Sequence, residues 1–214
     1  MKLSKQRLEA LSDGIIAIII TIMVLSIPLP PAFDRSSLLQ LAETLVIYFV
    51  SFIVVGSFWS QHSRIFYYIN NISGKITWVN LLFLFFLSLI PIFTKWVMEN
   101  PSNIIPAVGY NVVYLFVNLS YLLIFEYIIY NSEHEGIKKV RESRADSRKR
   151  NSVFRFFITL IITITAISVS VYVPKIPGTF LLIFPVLSST LNLLLEDYRR
   201  ELKKNIIQQK LSDI

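Results

Sequence analysis

Long stretches almost without charge alternate along this 214-residue chain with short stretches dense in Lys and Arg. That alternation admits few folds. An uncharged run of about 20 residues matches a helix crossing the hydrocarbon core of a bilayer, and the basic stretches suit the wet loops between spans. Only 16% of the residues are charged, well below the roughly 25% of a soluble domain. No polar segment is long enough to bury a core of its own. Six apolar runs predict helices over residues 10–29, 41–60, 78–97, 104–130, 154–173 and 178–195, with a charged tail over 199–214. The first run starts at Gly14, is slightly short, and gains a turn from the residues before it. Pro28, Pro30 and Pro31 end it. Pro91 and Pro185 fall inside the third and sixth runs and predict kinks. A β-barrel is excluded because the runs are continuously apolar and do not alternate. A cleaved leader is disfavoured because the first run lacks a small-x-small site at its end.

The basic residues set the topology. The N-terminus, the second-to-third loop, the fourth-to-fifth loop and the C-terminal tail together hold 18 of the 21 Lys and Arg residues. The opposite side holds Arg35, Lys95 and Lys175. Basic residues stay in the cytoplasm during insertion, so an even number of spans with both termini cytoplasmic follows. The expected class is an all-α, multi-pass cell-membrane protein with six transmembrane helices. The basic stretch from Lys138 to Arg155 is accounted for by this positive-inside rule, and no nucleic-acid partner is expected.

Little here suggests an enzyme. Cysteine is absent and histidine occurs only at positions 62 and 134, so thiol chemistry and Cys-based metal sites are excluded. No HExxH, GxSxG, Walker or GxGxxG pattern occurs. No catalytic residue, metal site or cofactor is expected. Ionisable residues inside spans mark proton or ion pathways, but Asp13, Glu43 and Lys95 lie near span ends. Glu126 is deeper, about one turn from the end of the fourth span. No midplane pair of carboxylates is visible. Polar residues instead gather near the cytoplasmic ends of the first three spans: Arg7, Ser12, Asp13 and Gly14, then Trp59 and His62, then Asn80. Ser12-Asp13-Gly14 fits a helix N-cap. Equally, these groups suit hydrogen bonds that pin three helices together.

Three segments carry a resemblance. Arg7-Leu-Glu-Ala-Leu11-Ser12-Asp13-Gly14 resembles the RxxxFSDG start of the endosomal/lysosomal transmembrane potassium channel family, in its prokaryotic six-helix branch, with Leu11 in place of Phe. Ser51 to His62 resembles that family's second helix with its Trp-x-x-His ending, and Asn80 to Pro91 its third. The likeness covers roughly the first hundred residues; the fourth to sixth spans match in number and hydrophobicity alone.

The resemblance implies a potassium-permeable cation channel built as a homotetramer in a lipid bilayer, passing monovalent cations through a central pore lined by helix one. It places the narrowest apolar ring at Ile18, with Ile22 and Leu25 following on the same face. Thr21 borders that face and offers a hydroxyl to a passing ion. The resemblance also implies that Arg7, Ser12, Asp13, Gly14, Trp59, His62 and Asn80 form a structural network that positions helix one. Positions 18, 22 and 25 do share one helical stripe. By spacing alone, such a stripe is better read as facing lipid or another helix, since every apolar helix contains one. Two other functions stay open. A proton-conducting channel fits the same scaffold. A secondary transporter would show internal repeats, and none is evident between residues 1–100 and 101–214.

Overall fold

The computed structural model describes residues 4–67 and 72–131, together with seven isolated helical positions between 157 and 187. The helices expected over 154–173 and 178–195, the basic loop before them and the tail over 199–214 otherwise lie outside the described residues. The described chain is helical throughout: α1 (Lys5–Leu25), α2 (Arg35–Phe66), α3 (Gly74–Ser88), α4 (Ile90–Glu99) and α5 (Ile104–Asn131). Among the described residues, four stretches are long and apolar enough to span a membrane: α1, α2, the α3–α4 pair and residues Ile104–Tyr127 of α5.

Polar caps fix where three helices start. Ser4, Asp34 and Ser73 each accept a hydrogen bond from the backbone N–H three residues on, at 3.3–3.4 Å. These caps satisfy donors that a helix start leaves free. Asp34 also accepts from the Ser36 hydroxyl. Hydrogen bonds from Ser36 and Ser37 hold its carboxyl down at about 2. The cap is therefore fully ionised above the ordinary carboxylate range and is lost only as pH falls through about 2.

The boundaries differ from those expected. Helix α1 starts at Lys5 rather than near residue 10, because Ser4 is its cap and Ser12-Asp13-Gly14 lies inside the helix. It stops at Leu25 rather than 29: Ser26 closes the last turn onto Ile22 and Met23, and Pro28 bars helical geometry at the residue before it. Helix α2 runs from Arg35 to Phe66, beyond the expected 41–60 at both ends, because its polar end turns are helical too. The third expected helix, 78–97, is longer and divided at Leu89, with Pro91 in the first turn of α4. A proline has no N–H to give back to the preceding turn and its ring crowds that turn's carbonyl. The Thr94 hydroxyl bonds Ile90 O at 2.8 Å, and Ser88 bonds Phe85 O at 2.7 Å.

The helices run up and down. Ser12 of α1 meets Asn80 of α3, and Met23 meets Thr94 of α4, so α1 is parallel to the α3–α4 pair. Helix α5 runs antiparallel to that pair, with Phe86 stacked on Phe116 at 5.0 Å and Phe83 near Tyr121 at 6.4 Å. The core between them holds Phe58, Phe83, Tyr110 and Tyr114, all at most 1% exposed. Trp78 and Trp96 are exposed near the two ends of the α3–α4 pair. They are about 27 Å apart along the axis at 1.5 Å per residue, which matches the hydrocarbon thickness and the aromatic belts at its borders.

Gly109 lets α5 approach α4. A Cβ there would lie 2.4 Å from the Phe93 ring, so even a methyl group forces that ring to move. Gly109→Ala is expected to destabilise the bundle by about 1–3 kcal/mol, read from denaturation in detergent. The loss should shrink when Phe93→Ala is added, because the two positions compete for one space. Equal losses in both backgrounds would contradict the contact.

Candidate ion-conduction helix and its supports

Helix α1 has two apolar faces. Leu8, Ser12, Ile16, Ile19 and Met23, spaced four, four, three and four residues apart, are buried against α2, α3 and α4. Their periodicity is that of a helix stripe facing a core. The second face carries Leu11, Ile18, Ile22 and Leu25, and the protomer leaves it open: Ile18 is 57% exposed, Ile22 47% and Leu25 83%. At 100° per residue the two faces stand about a third of a turn apart. Thr21 lies at the border of the open face, and its hydroxyl donates to Ile18 O at 2.8 Å. That bond uses the only hydroxyl proton and leaves oxygen lone pairs directed outward.

A chain of side-chain hydrogen bonds ties the lower end of α1 to its neighbours. His62 Nε2 lies 2.7 Å from Asn80 Oδ1. An amide oxygen only accepts, so this ring nitrogen carries the proton. Asn80 Nδ2 donates to Ser12 Oγ at 3.0 Å, and Ser12 donates to Leu8 O at 2.9 Å. All three side chains are at most 1% exposed. The His62 ring is stacked between Phe66 at 4.3 Å and Phe83 at 5.4 Å, which fixes the plane in which its N–H points. Beside this chain, Trp59 Nε1 donates to Asp13 Oδ1 at 3.0 Å, a bond half open to the surroundings.

Ser12, Asp13, Trp59, His62 and Asn80 are thus brought together. Arg7 stands apart. It is exposed, and it falls on the azimuth of the open face of α1 rather than the buried one; among the described residues its backbone N–H is engaged at the Ser4 cap. Gly14 also faces open space, and a Cβ there would meet nothing within 4 Å. Among the ionisable residues expected in or near spans, Lys95 is exposed and lies 3.8 Å from Glu99. Glu43 is exposed. The Glu126 Oε1 is shielded and has no hydrogen-bond partner among the described residues. No group of three or more metal-ligating side chains occurs among the described residues.

A second polar layer was not foreseen. About 16 Å up α1 from Ser12, Met23 Sδ lies 4.0 Å from the Thr94 hydroxyl, which in turn meets Ser51 Oγ at 2.9 Å. All three residues are at most 1% exposed. The fully buried Tyr110 hydroxyl adjoins Ser51 without a formed hydrogen bond. A Ser and a Thr within apolar runs give a weak signal, since each can bond its own helix backbone.

Removing Asn80 strands two buried partners, whereas removing the Trp59 bond leaves Asp13 to water. Asn80→Ala is expected to cost about 2–4 kcal/mol and Trp59→Phe about 1 or less. Denaturation in detergent micelles measures both. A cost for Asn80→Ala no larger than that for Trp59→Phe would contradict the assignment of the buried chain as the main tie.

The family model described as endosomal/lysosomal potassium channel TMEM175 matches residues 7–91, the span that holds all but the first two residues of α1, then α2, α3 and the start of α4 at Pro91. The chain is 34% identical over 174 residues to a potassium channel of Chryseobacterium sp. (strain P1-3), covering 81% of this chain and 86% of that one. It is 31% identical over 145 residues to the endosomal/lysosomal proton channel TMEM175 of Gallus gallus, covering 61% of this chain and 28% of that one. The fold matches the crystal structure of a lysosomal potassium-selective channel TMEM175 homolog from Chamaesiphon minutus. That match has a TM-score of 0.62 at 22% identity and covers 86% of this chain and 97% of the other. With several apolar helices long enough to span a bilayer and a relative matched across most of both lengths, this multi-pass membrane protein belongs to the TMEM175 channel family.

Proposed function

We propose that the chain is one subunit of a homotetrameric, potassium-permeable cation channel of the cell membrane, with α1 from each copy lining a central pore. One observation carries this reading: α1 keeps a complete apolar face uncovered while its other face is sealed in the protomer core. Lipid alone would tolerate such a face. The potassium channel among its relatives, matched over 86% of that protein, favours a shared axis instead. Both termini then lie in the cytoplasm, and six spans per subunit agree with the charge pattern of the whole chain.

In the assembled pore, Ile18, Ile22 and Leu25 from four copies stack as three apolar rings over about 10 Å. Water leaves a narrow apolar constriction readily, and an ion without hydration meets a high barrier there. Ile18 forms the first ring met from the cytoplasm. The Thr21 oxygens between the rings provide hydroxyl dipoles for a dehydrated cation. The hydrogen-bonded chain from His62 to Leu8 holds α1 in place; its groups are buried behind the pore helix and do not touch the ion.

A second reading is a proton path on the same scaffold, favoured by the proton channel name of the Gallus gallus relative. Dewetted rings pass protons along transient water chains under conditions where larger ions stop. Flux in proteoliposomes separates the two. A potassium gradient with the proton gradient collapsed drives current in the first case and none in the second.

Ile18→Asn places an amide in the first ring and holds water there. It is expected to raise cation flux by about tenfold or to alter the potassium-to-sodium ratio by a comparable factor, the change that a barrier lowered by about 1.4 kcal/mol gives. Unchanged flux and selectivity in a tetramer that still assembles would remove Ile18 from the constriction.

A further inference from the structure

We propose that Thr94 is a positioning residue for the pore helix: acting through Met23, it sets how far the Ile22 and Leu25 side chains stand from the conduction axis. The inference rests on the channel reading above and adds a residue on another helix that controls the same pore.

Helix α1 is held to the core at two levels of unlike character. At the lower level the ties are directed bonds, Ser12 to Asn80 and Asp13 to Trp59, each at 3.0 Å. Between the levels, Ile16 and Ile19 are buried in the hydrophobic core. At the upper level apolar packing of Met23 and Ile20 continues, and the polar contact among the described residues is a soft one, Met23 Sδ at 4.0 Å from Thr94 Oγ1. A thioether is a weak acceptor, and weak bonds of this kind bend at little cost.

The hydroxyl that makes the contact is itself organised. Thr94 reaches Ile90 O at 2.8 Å and Ser51 Oγ at 2.9 Å. It has one proton, so Ser51 supplies the proton of their mutual bond whenever Thr94 donates back to Ile90 or across to the sulfur. The buried Tyr110 hydroxyl beside Ser51 has no partner of its own among the described residues and stands ready to replace one that shifts. Thr94 rides on α4, a helix of ten residues separated from α3 at Leu89. The upper contact is therefore made through α4, with Ser51 of α2 behind it, and the lower bonds through α2 and α3.

A rod fixed firmly at one end and loosely at the other turns about the firm end. Ile18 lies about 9 Å and Leu25 about 20 Å above Ser12 along α1. The same tilt therefore displaces Leu25 more than twice as far. Leu25 is also the most exposed member of the stripe, at 83%. Exclusion of water draws four such side chains together at the axis. The Thr94–Met23 contact opposes that closure by keeping the upper half of α1 against α4.

The test uses the full-length channel in proteoliposomes. Thr94→Val keeps the shape and removes the hydroxyl. It should lower potassium flux about fivefold, the population shift expected from losing one buried hydrogen bond, and Thr94→Ser should restore flux to within about twofold of the parent. Because the chain has no cysteine, single Leu25→Cys and Ile18→Cys variants report water access by thiol labelling. With Thr94→Val added, labelling at position 25 should slow markedly more than at position 18, a difference that general destabilisation would not produce. Met23→Leu, which removes the sulfur at similar side-chain volume, serves if Thr94→Val does not fold, and a fall in the same direction is expected. Parent-level flux in Thr94→Val, or in Met23→Leu where it is used, would overturn the inference, as would an equally impaired Thr94→Ser. If Ile18→Asn in the same vesicles still alters flux, the channel reading survives that failure. If Ile18→Asn is also silent in an intact tetramer, the two fall together.

Discussion

Helix α1, like the other described helices, carries more apolar surface than the protomer covers, and its buried side is fixed by directed bonds. The core side of α1 takes Leu8, Ile16, Ile19 and Met23, and α2, α3 and α4 close over it. About a third of a turn away, Ile18, Ile22 and Leu25 remain open. In water such a face would drive aggregation. In a membrane it meets either lipid or its own copies, and lipid offers no hydrophobic force to choose between them. In the proposed channel, the rigidity of its other side is what would orient α1 toward the axis. A helix whose orientation is fixed by directed bonds presents the same residues to the same place in every copy, and that is the requirement for a ring.

The directed bonds are few and costly to lose. In a dry helical core, dispersion and close packing hold helices together but specify rotation poorly. An unpaired amide or hydroxyl there is expensive. Asn80 meets this by donating to one neighbour and accepting from another, so a single side chain fixes α1 and α2 relative to α3. The stacking of His62 between Phe66 and Phe83 makes that geometry stiffer than a lone hydrogen bond would. Higher in the bundle, the hydroxyls of Ser51 and Thr94 form a second layer whose link to α1 is a thioether contact. Firm below and yielding above, this arrangement gives the proposed pore helix one direction in which it moves easily.

Much of this was legible in the sequence. Four of the apolar runs coincide with long helices, since an uncharged run of that length has few other uses. Ser12, Asp13, Trp59, His62 and Asn80 were singled out because polar residues in an oily context need partners, and the structure joins them. Other features were hidden for physical reasons. Hydropathy marks what is oily rather than where a helix stops, so the polar turns 35–40 and 61–66 of α2 were missed. The competing N-cap reading of Ser12-Asp13-Gly14 was settled only by seeing Ser4 take that role. Arg7 was grouped with the network through resemblance, yet its azimuth on α1 directs it elsewhere. The contact of Thr94 with Ser51 is not legible in the sequence because a hydroxyl in a membrane helix usually bonds its own backbone, and Thr94 does that as well.

The central claim is that the open face of α1 meets its symmetry mates. A chain without cysteine allows a direct measurement: oxidative cross-linking in native membranes of single variants Ile18→Cys, Ile22→Cys and Leu25→Cys, with Phe49→Cys on the exposed outer surface of α2 as comparison. The account predicts disulfide-linked dimers of subunits at one or more of the three α1 positions and none at position 49. Cross-linking at position 49 with none at 18, 22 or 25 would place the open face of α1 against lipid and contradict the pore.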